Sequence, residues 1–219
     1  MTMPVLISNY QKRVLVNQLK AVYTELYNAI KMAEVDYGDT SSWQYFDENL
    51  SVKQNSWNFT NTYLAPYFKK VDLYQSDKLI NCKDTVYRKP DGSVVSCTGV
   101  FGFCETCSSS DNSNMVQIHL PSGAIIIPLV RKTGTDINGF YTEQVEIDVD
   151  TNGYKGPNVL GRDIFRLQMG RLTGYKLLGT GNQNHTRTIM LSECDREHIY
   201  SCAGLIMSDG WEISSDYPW

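Results

Sequence analysis

The apolar residues Leu15, Leu19, Val22, Leu26, Ala29, Ile30 and Ala33 follow one another at steps of three or four. That is the period of one helix face, sustained too long for a strand or a loop. Lys12, Arg13, Lys20, Glu25 and Lys31 fall largely off the stripe, where water can solvate them. Pro4 is tolerated in a first helical turn, where its missing N–H costs little. Gly38 can supply a left-handed cap, so the helix should stop near residues 36–39. Such a helix has roughly 33 residues and spans about 50 Å at 1.5 Å per residue. A rod of that length outruns a small domain, so one end is expected to project. Val5, Leu6, Ile7, Tyr10 and Val14, upstream of the stripe, are too apolar for a solvated free end and are expected to meet a partner. The chain therefore divides into an N-terminal helix, 1–36, with its lower part projecting, and a globular head, 37–219.

Downstream the period changes. "SWNFTNTYLAPYFKKV" predicts a second, shorter helix with Phe59, Tyr63, Leu64 and Phe68 facing inward and Pro66 bending or restarting it. "SSSDNSN" at 108–114 reads as an exposed loop. "MVQIHL" and "AIIIPLV", joined by "PSG", predict a hairpin of β-branched strands. "EQVEIDVD" alternates Val145, Ile147 and Val149 with charged residues, which predicts a third strand with one solvated face. "DIFRLQM" and "YKLLG" suggest another hairpin, and "CAGLIM" a short apolar helix or turn stopped by Gly210. The expected class is α+β: a long N-terminal helix packed on an antiparallel sheet, with a short second helix and a cysteine-bearing middle region. No internal repeat is visible.

A net charge of −4 gives no electrostatic case for nucleic acid, which calls for a basic face. Lys69-Lys70 and Arg162/Arg166/Arg171 read as scattered solvated charge. The three histidines, His119, His185 and His198, lack metal-ligand spacing, and Ser122 in "PSGA" is a turn residue outside any GxSxG context. Neither a P-loop nor a GxGxxG follows a predicted strand. An enzyme is therefore not expected. No run approaches the roughly 18 apolar residues of a membrane helix.

Six cysteines, Cys82, Cys97, Cys104, Cys107, Cys194 and Cys202, form an even set suited to an oxidising compartment. "FCETC" is a C-x-x-C that could be a redox pair, half of a zinc site with Cys82 and Cys97, or part of a disulfide framework. The loop context and the missing second C-x-x-C favour structural disulfides. Cys194 with Cys202 is the preferred local pair; the other four allow three pairings, which stay open.

"DVDTNGYKGPN" places Asp148, Asp150 and Asn152 at alternate positions with Gly153 following, the first half of a calcium loop. The twelfth position, where a bidentate Glu belongs, is Val159, and Asp163 could complete the shell. The competing reading is a strand ending in an Asx-rich turn, which uses the same residues for backbone hydrogen bonds.

Two stretches carry a resemblance to the type IV pilin-like proteins, the pilins and the pseudopilins of type II secretion. "MPVLISNYQKRVLVNQLKAVYTELYNAIKMAE" is similar to the part of their N-terminal helix that follows its membrane-embedded half. "DVDTNGYKGPNVLGRDIFRL" with "CAGLIMSDGWEISSDYPW" resembles the C-terminal half of many proteins with a prepilin-type cleavage and methylation segment. The middle of the chain matches nothing in that family. The resemblance implies a structural subunit of a pilus-like or pseudopilus filament in the bacterial cell envelope, periplasmic or extracellular. Its partners would be other such subunits and the envelope assembly machinery, with Val5, Leu6, Ile7, Tyr10 and Val14 buried among neighbouring helices. The family's basic leader, cleavage glycine and early helix glutamate have no counterpart here. The sequence is thus expected to be a form lacking its leader and membrane segment, and membrane contact would come only through that segment. The alternative is a secreted or surface-exposed, calcium-stabilised binding or adhesin module, with Trp211, Tyr217 and Trp219 contacting a ligand.

Overall fold

A computed structural model describes residues 3–74, 87–94, 116–135, 141–181, 185–194 and 201–219. Cys82, Cys97, Cys104, Cys107, His198 and the loop 108–114 lie outside these residues.

Helix α1 is Met3–Tyr37, 35 residues without a break. Its stripe is buried as the period requires, from Leu15 and Val16 through Leu19, Val22 and Leu26 to Ala29, Ile30 and Ala33. The helix ends where expected. Gly38 adopts φ +78° and donates its N–H to the Glu34 carbonyl at 3.0 Å, a left-handed closure that costs glycine little.

Helix α2 is Val52–Phe59 and starts earlier than the apolar pattern suggests. Ser51 is its cap: Ser51 Oγ accepts from the Gln54 N–H at 3.2 Å, and Gln54 Oε1 accepts from the Ser51 N–H at 3.0 Å. This reciprocal S-x-x-Q box satisfies two otherwise orphaned donors. The chain then widens into a π-type turn, Thr60–Leu64, and tightens into a 3-10 turn, Ala65–Tyr67. Pro66 lacks the N–H that an α-helix would need there, so the ladder changes register at that point. Phe59 and Leu64 are fully buried, while Tyr63 and Phe68 pack partly buried against the core.

Among the described residues six strands form one antiparallel sheet in sequence order: β1 (Asp72–Tyr74), β2 (Gln117–His119), β3 (Ile125–Thr135), β4 (Tyr141–Asp150), β5 (Ile164–Gly170) and β6 (Leu178–Gly179). The β2–β3 hairpin turns through Gly123, whose N–H bonds the Leu120 carbonyl at 2.9 Å. β3 outruns β2. Beyond that pairing, α2 covers the open edge, and the Val130 N–H donates to Ser56 Oγ at 2.9 Å, which removes an exposed edge donor.

Register sorts the two sheet faces. Val145, Ile147 and Val149 on β4 lie beside Phe165, Leu167 and Met169 on β5 and join the α1 stripe in one core. The opposite face was expected to be solvated, and it is not. Gln144, Asp148, Asp150, Arg166 and Gln168 are all buried there. Charge of both signs on adjacent strands makes this tolerable, because a buried ion is stable only when paired.

After β6 come α3 (Arg187–Glu193) and α4 (Cys202–Ser208). A disulfide joins Cys194, at the end of α3, to Cys202, at the start of α4. α4 lies directly on β6: a Cβ at Gly179 would sit 2.3 Å from the Gly204 nitrogen. Only paired glycines allow that approach.

Candidate functional site

The lower part of α1 leaves the head. Leu6, Ile7 and Tyr10 are 53%, 56% and 69% exposed, Val14 is half-buried, and burial is complete only from Leu15. The side chain of Val5 lies outside the description. At about 1.5 Å per residue, the dozen residues before Leu15 extend roughly 18 Å. Leu6 and Tyr10 are four apart and so share a helix face, with Ile7 beside them.

C-terminal aromatics meet α1 from Lys12 upward, so the part that stands clear of them is the helix below Lys12. Lys12 Nζ and the Arg162 guanidinium both lie over the Trp219 ring, 5.5 and 5.0 Å from its centre, each a cation held against a π system. Trp211 meets Tyr23 edge-on at 5.2 Å, and Lys20 Nζ lies 5.8 Å from its ring. Tyr23 Oη donates to the Leu177 carbonyl at 3.1 Å, and the buried Tyr217 donates to the Gly161 carbonyl. Trp211, Tyr217 and Trp219 thus all make contacts within their own chain, Tyr217 buried and the two tryptophans partly buried. Arg187 fastens the same tail to α3 through both carboxylates of Asp209 and Asp216, at 2.6 to 2.9 Å.

On the polar sheet face Asp148 is not free to bind a cation. Its Oδ1 accepts from Arg166 Nε at 2.7 Å and its Oδ2 from Arg166 Nη2 at 3.1 Å. Burial pushes the Asp148 carboxyl up and the guanidinium pulls it back down. Glu146 Oε2 lies 3.4 Å from Arg166 Nη1 and 3.6 Å from Arg131 Nε, extending the pair into a network. Asp148 drops out of the predicted metal set because the strand register puts a guanidinium directly opposite it.

The other three members of that set do come together. Asp150 Oδ1 accepts from the Asn152 N–H at 3.1 Å, and Asn152 Nδ2 donates to Asp163 Oδ2 at 3.3 Å. Asp163 also accepts from the backbone N–H groups of Asn158, at 2.7 Å, and Val159. Its carboxylate is thus the anchor of the loop that links β4 to β5. Burial, then the nearby Asp163 charge, push Asp150 up to about 8. Burial also raises Asp163, against the opposing pull of its N–H donors. Asn158, which the sequence reading did not single out, belongs to this cluster; its signal is the turn pair "PN", with Asn158 at φ 52°.

Elsewhere, His185 Nδ1 and Ser201 Oγ both meet Glu193 Oε2, the histidine at 2.9 Å. They converge on one carboxylate instead of forming a serine–histidine relay, and Ser201 is fully buried. Among the described residues no three His, Cys, Asp or Glu side chains converge as a metal-ligand group. No described helix is long and apolar enough to cross a membrane.

No curated protein and no solved structure matches the chain. The profile of DUF6613, a family of unknown function, matches residues 5–219. That span includes the projecting helix, the sheet and the C-terminal aromatics, and the chain belongs to this family.

Proposed function

We propose that the chain is a structural subunit of a type IV pilus-like or type II pseudopilus-like filament in the bacterial cell envelope. Assembly runs through the lower part of α1, while the β-rich head faces outward and sets partner choice. The observation that carries this reading is the exposure of Leu6, Ile7 and Tyr10 on an unbroken helix whose upper stripe is buried in the head. One helix then serves two interiors, its own domain above and a bundle of neighbouring helices below. Burying each such side chain contributes about 1.5–3 kcal/mol, and the gain repeats at every subunit. The resemblance of both chain ends to pilin-like proteins supports the same conclusion. No residue is required to turn over a substrate.

The test is site-specific photo-crosslinking in the native cell, with a photoreactive phenylalanine analogue at Tyr10 of the gene product. A ladder of self-crosslinked species, lost when Leu6 and Ile7 are both changed to Asp, is expected. Purely monomeric protein, or crosslinks unchanged by Leu6→Asp/Ile7→Asp, would overturn the proposal.

A further inference from the structure

We propose that the cleft between the lower half of α1 and the chain that follows α4 binds a small phosphate monoester of a polyol. The reading of Leu6, Ile7 and Tyr10 as an assembly face is not needed for this site.

The cleft has a volume of about 380 Å³ and is lined by Asn9, Lys12, Arg13 and Asn17 of α1, with Trp211 and Glu212 facing them. Asn9, Arg13 and Asn17 follow one another at steps of four and so share one helix face. Lys20, one turn further up, lies over the Trp211 ring, and Lys12 shares the Trp219 ring with Arg162. Four cations thus gather at the cleft and at the two tryptophans beside it. None of the four has a carboxylate ion pair among the described residues, in a chain whose net charge is −4. Lys31, Lys132 and Arg187 each have one.

Backbone strain shapes the opposite wall. Trp211 is held at φ +66°, a left-handed conformation that is costly for a bulky side chain and is kept only where its surroundings enforce it. Gly210 before it stands at φ +75°, and the Trp211 N–H reaches back to the Ile206 carbonyl at 2.8 Å. These two successive left-handed residues turn the chain off α4. They lay the indole against Tyr23 and Lys20 and set Glu212 across from Lys12 and Arg13.

The donors decide the ligand. Arg13 offers a planar fork of N–H groups, Lys12 an ammonium, and the two asparagines their amides. A carboxylate has only two oxygens to meet them. A phosphate monoester has three, carries close to two negative charges at neutral pH, and pairs with a guanidinium through parallel bonds. Glu212, ionised, can only accept. It repels a bare phosphate and favours a ligand whose hydroxyl donates to it, which makes the ester that of a polyol. A cleft of this size suits a small ligand.

The experiment titrates the whole chain with sn-glycerol 3-phosphate by calorimetry near neutral pH and follows indole fluorescence, since Trp211 lines the cleft. Saturable one-site binding is expected, tighter than that of inorganic phosphate. Arg13→Gln, a change at an exposed position, should weaken it at least about tenfold through loss of a charge-assisted pair and leave Tm unchanged. Lys69→Gln with Lys70→Gln removes more charge from another surface, beside Met32 and Val35, and should leave affinity as it is. Glu212→Ala should narrow the preference for the ester over inorganic phosphate. Absence of saturable binding overturns the proposal, as does an equal loss in the Lys69/Lys70 variant or an unchanged preference in Glu212→Ala. Binding to phosphatidylglycerol vesicles without binding of the soluble ester overturns it too, since the cations would then serve a lipid surface.

Discussion

Asp148 on β4 and Arg166 on β5 stand directly opposite one another in the sheet and share two hydrogen bonds, of 2.7 and 3.1 Å, inside the protein. A parallel pair of bonds between a carboxylate and a guanidinium fixes the relative position of the two strands as well as neutralising both charges. Strand register at this pair also decides that Val145, Ile147 and Val149 face the α1 stripe, since a slip of one residue would turn every side chain over.

Breaking this pair from one side should be far worse than removing it whole. Asp148→Ala takes the two-bond carboxylate partner away from the buried Arg166 guanidinium and is expected to cost about 3–5 kcal/mol. Asp148→Leu combined with Arg166→Met should recover most of that loss, because both desolvation penalties vanish together. Urea denaturation of the two variants checks it, and equal losses would contradict the buried-pair account.

The contact between Gly179 and Gly204 admits no side chain. A Cβ at Gly204 would come within 2.3 Å of the Thr180 carbonyl oxygen, so β6 and α4 would have to separate. Gly204→Ala is expected to destabilise the fold by about 1–3 kcal/mol, the usual cost of overpacking, or more. Gly92→Ala is a useful contrast: its Cβ meets nothing within 4 Å, and only its φ of +85° opposes the change. Thermal melting of both variants should rank Gly204→Ala as the more damaging.

The Cys194–Cys202 disulfide closes a loop of sequence separation 8. Loop-closure entropy assigns such a bridge about 2–3 kcal/mol. Replacing both residues by Ser should lower stability by at least that amount, because two buried positions also become polar. Mass spectrometry of alkylated protein, with and without reductant, checks the bond itself; labelling of Cys194 and Cys202 in unreduced protein would remove it.

Acid should release the C-terminal tail. The Arg187 guanidinium lowers the Asp209 carboxyl and holds that of Asp216 well below the usual carboxylate range. A depressed carboxylate contributes stability that is present above its ordinary pKa and is lost as pH falls through the folded value. The fluorescence of Trp211 and Trp219 should therefore hold steady down through about pH 4, the ordinary range, and change below it. Arg187→Gln should move that change up into the ordinary range, and high salt should weaken the clamp because it is largely exposed. A transition at the same pH in both proteins would show that the clamp does not control the tail.

Much of the element list was legible in the residues. The stripe from Leu15 to Ala33, Gly38 as its stop, the "PSG" hairpin and the Cys194–Cys202 pair all depend on neighbours close in sequence. Two elements lie outside the apolar pattern: the start of α2 at Val52, marked only by the S-x-x-Q box, and the short edge strand β1, whose three residues show no clear period. The solvated face expected for "EQVEIDVD" was an error of a different kind. Alternating charge marks a face that differs from the apolar one, and it says nothing about what lies over that face.

The chain by itself determined which segments become helix or strand and which stripe of α1 is buried, because side-chain direction within an element follows from local backbone geometry alone. Tertiary structure decided who meets whom: that Arg166 takes Asp148 away from the loop, that Asn158 joins Asp150, Asn152 and Asp163, and that Trp211 and Trp219 close on α1. Those outcomes depend on strand register and on contacts between residues far apart in sequence, and the free energy of a charge or an orphaned oxygen is set by that surrounding, not by its position in the chain.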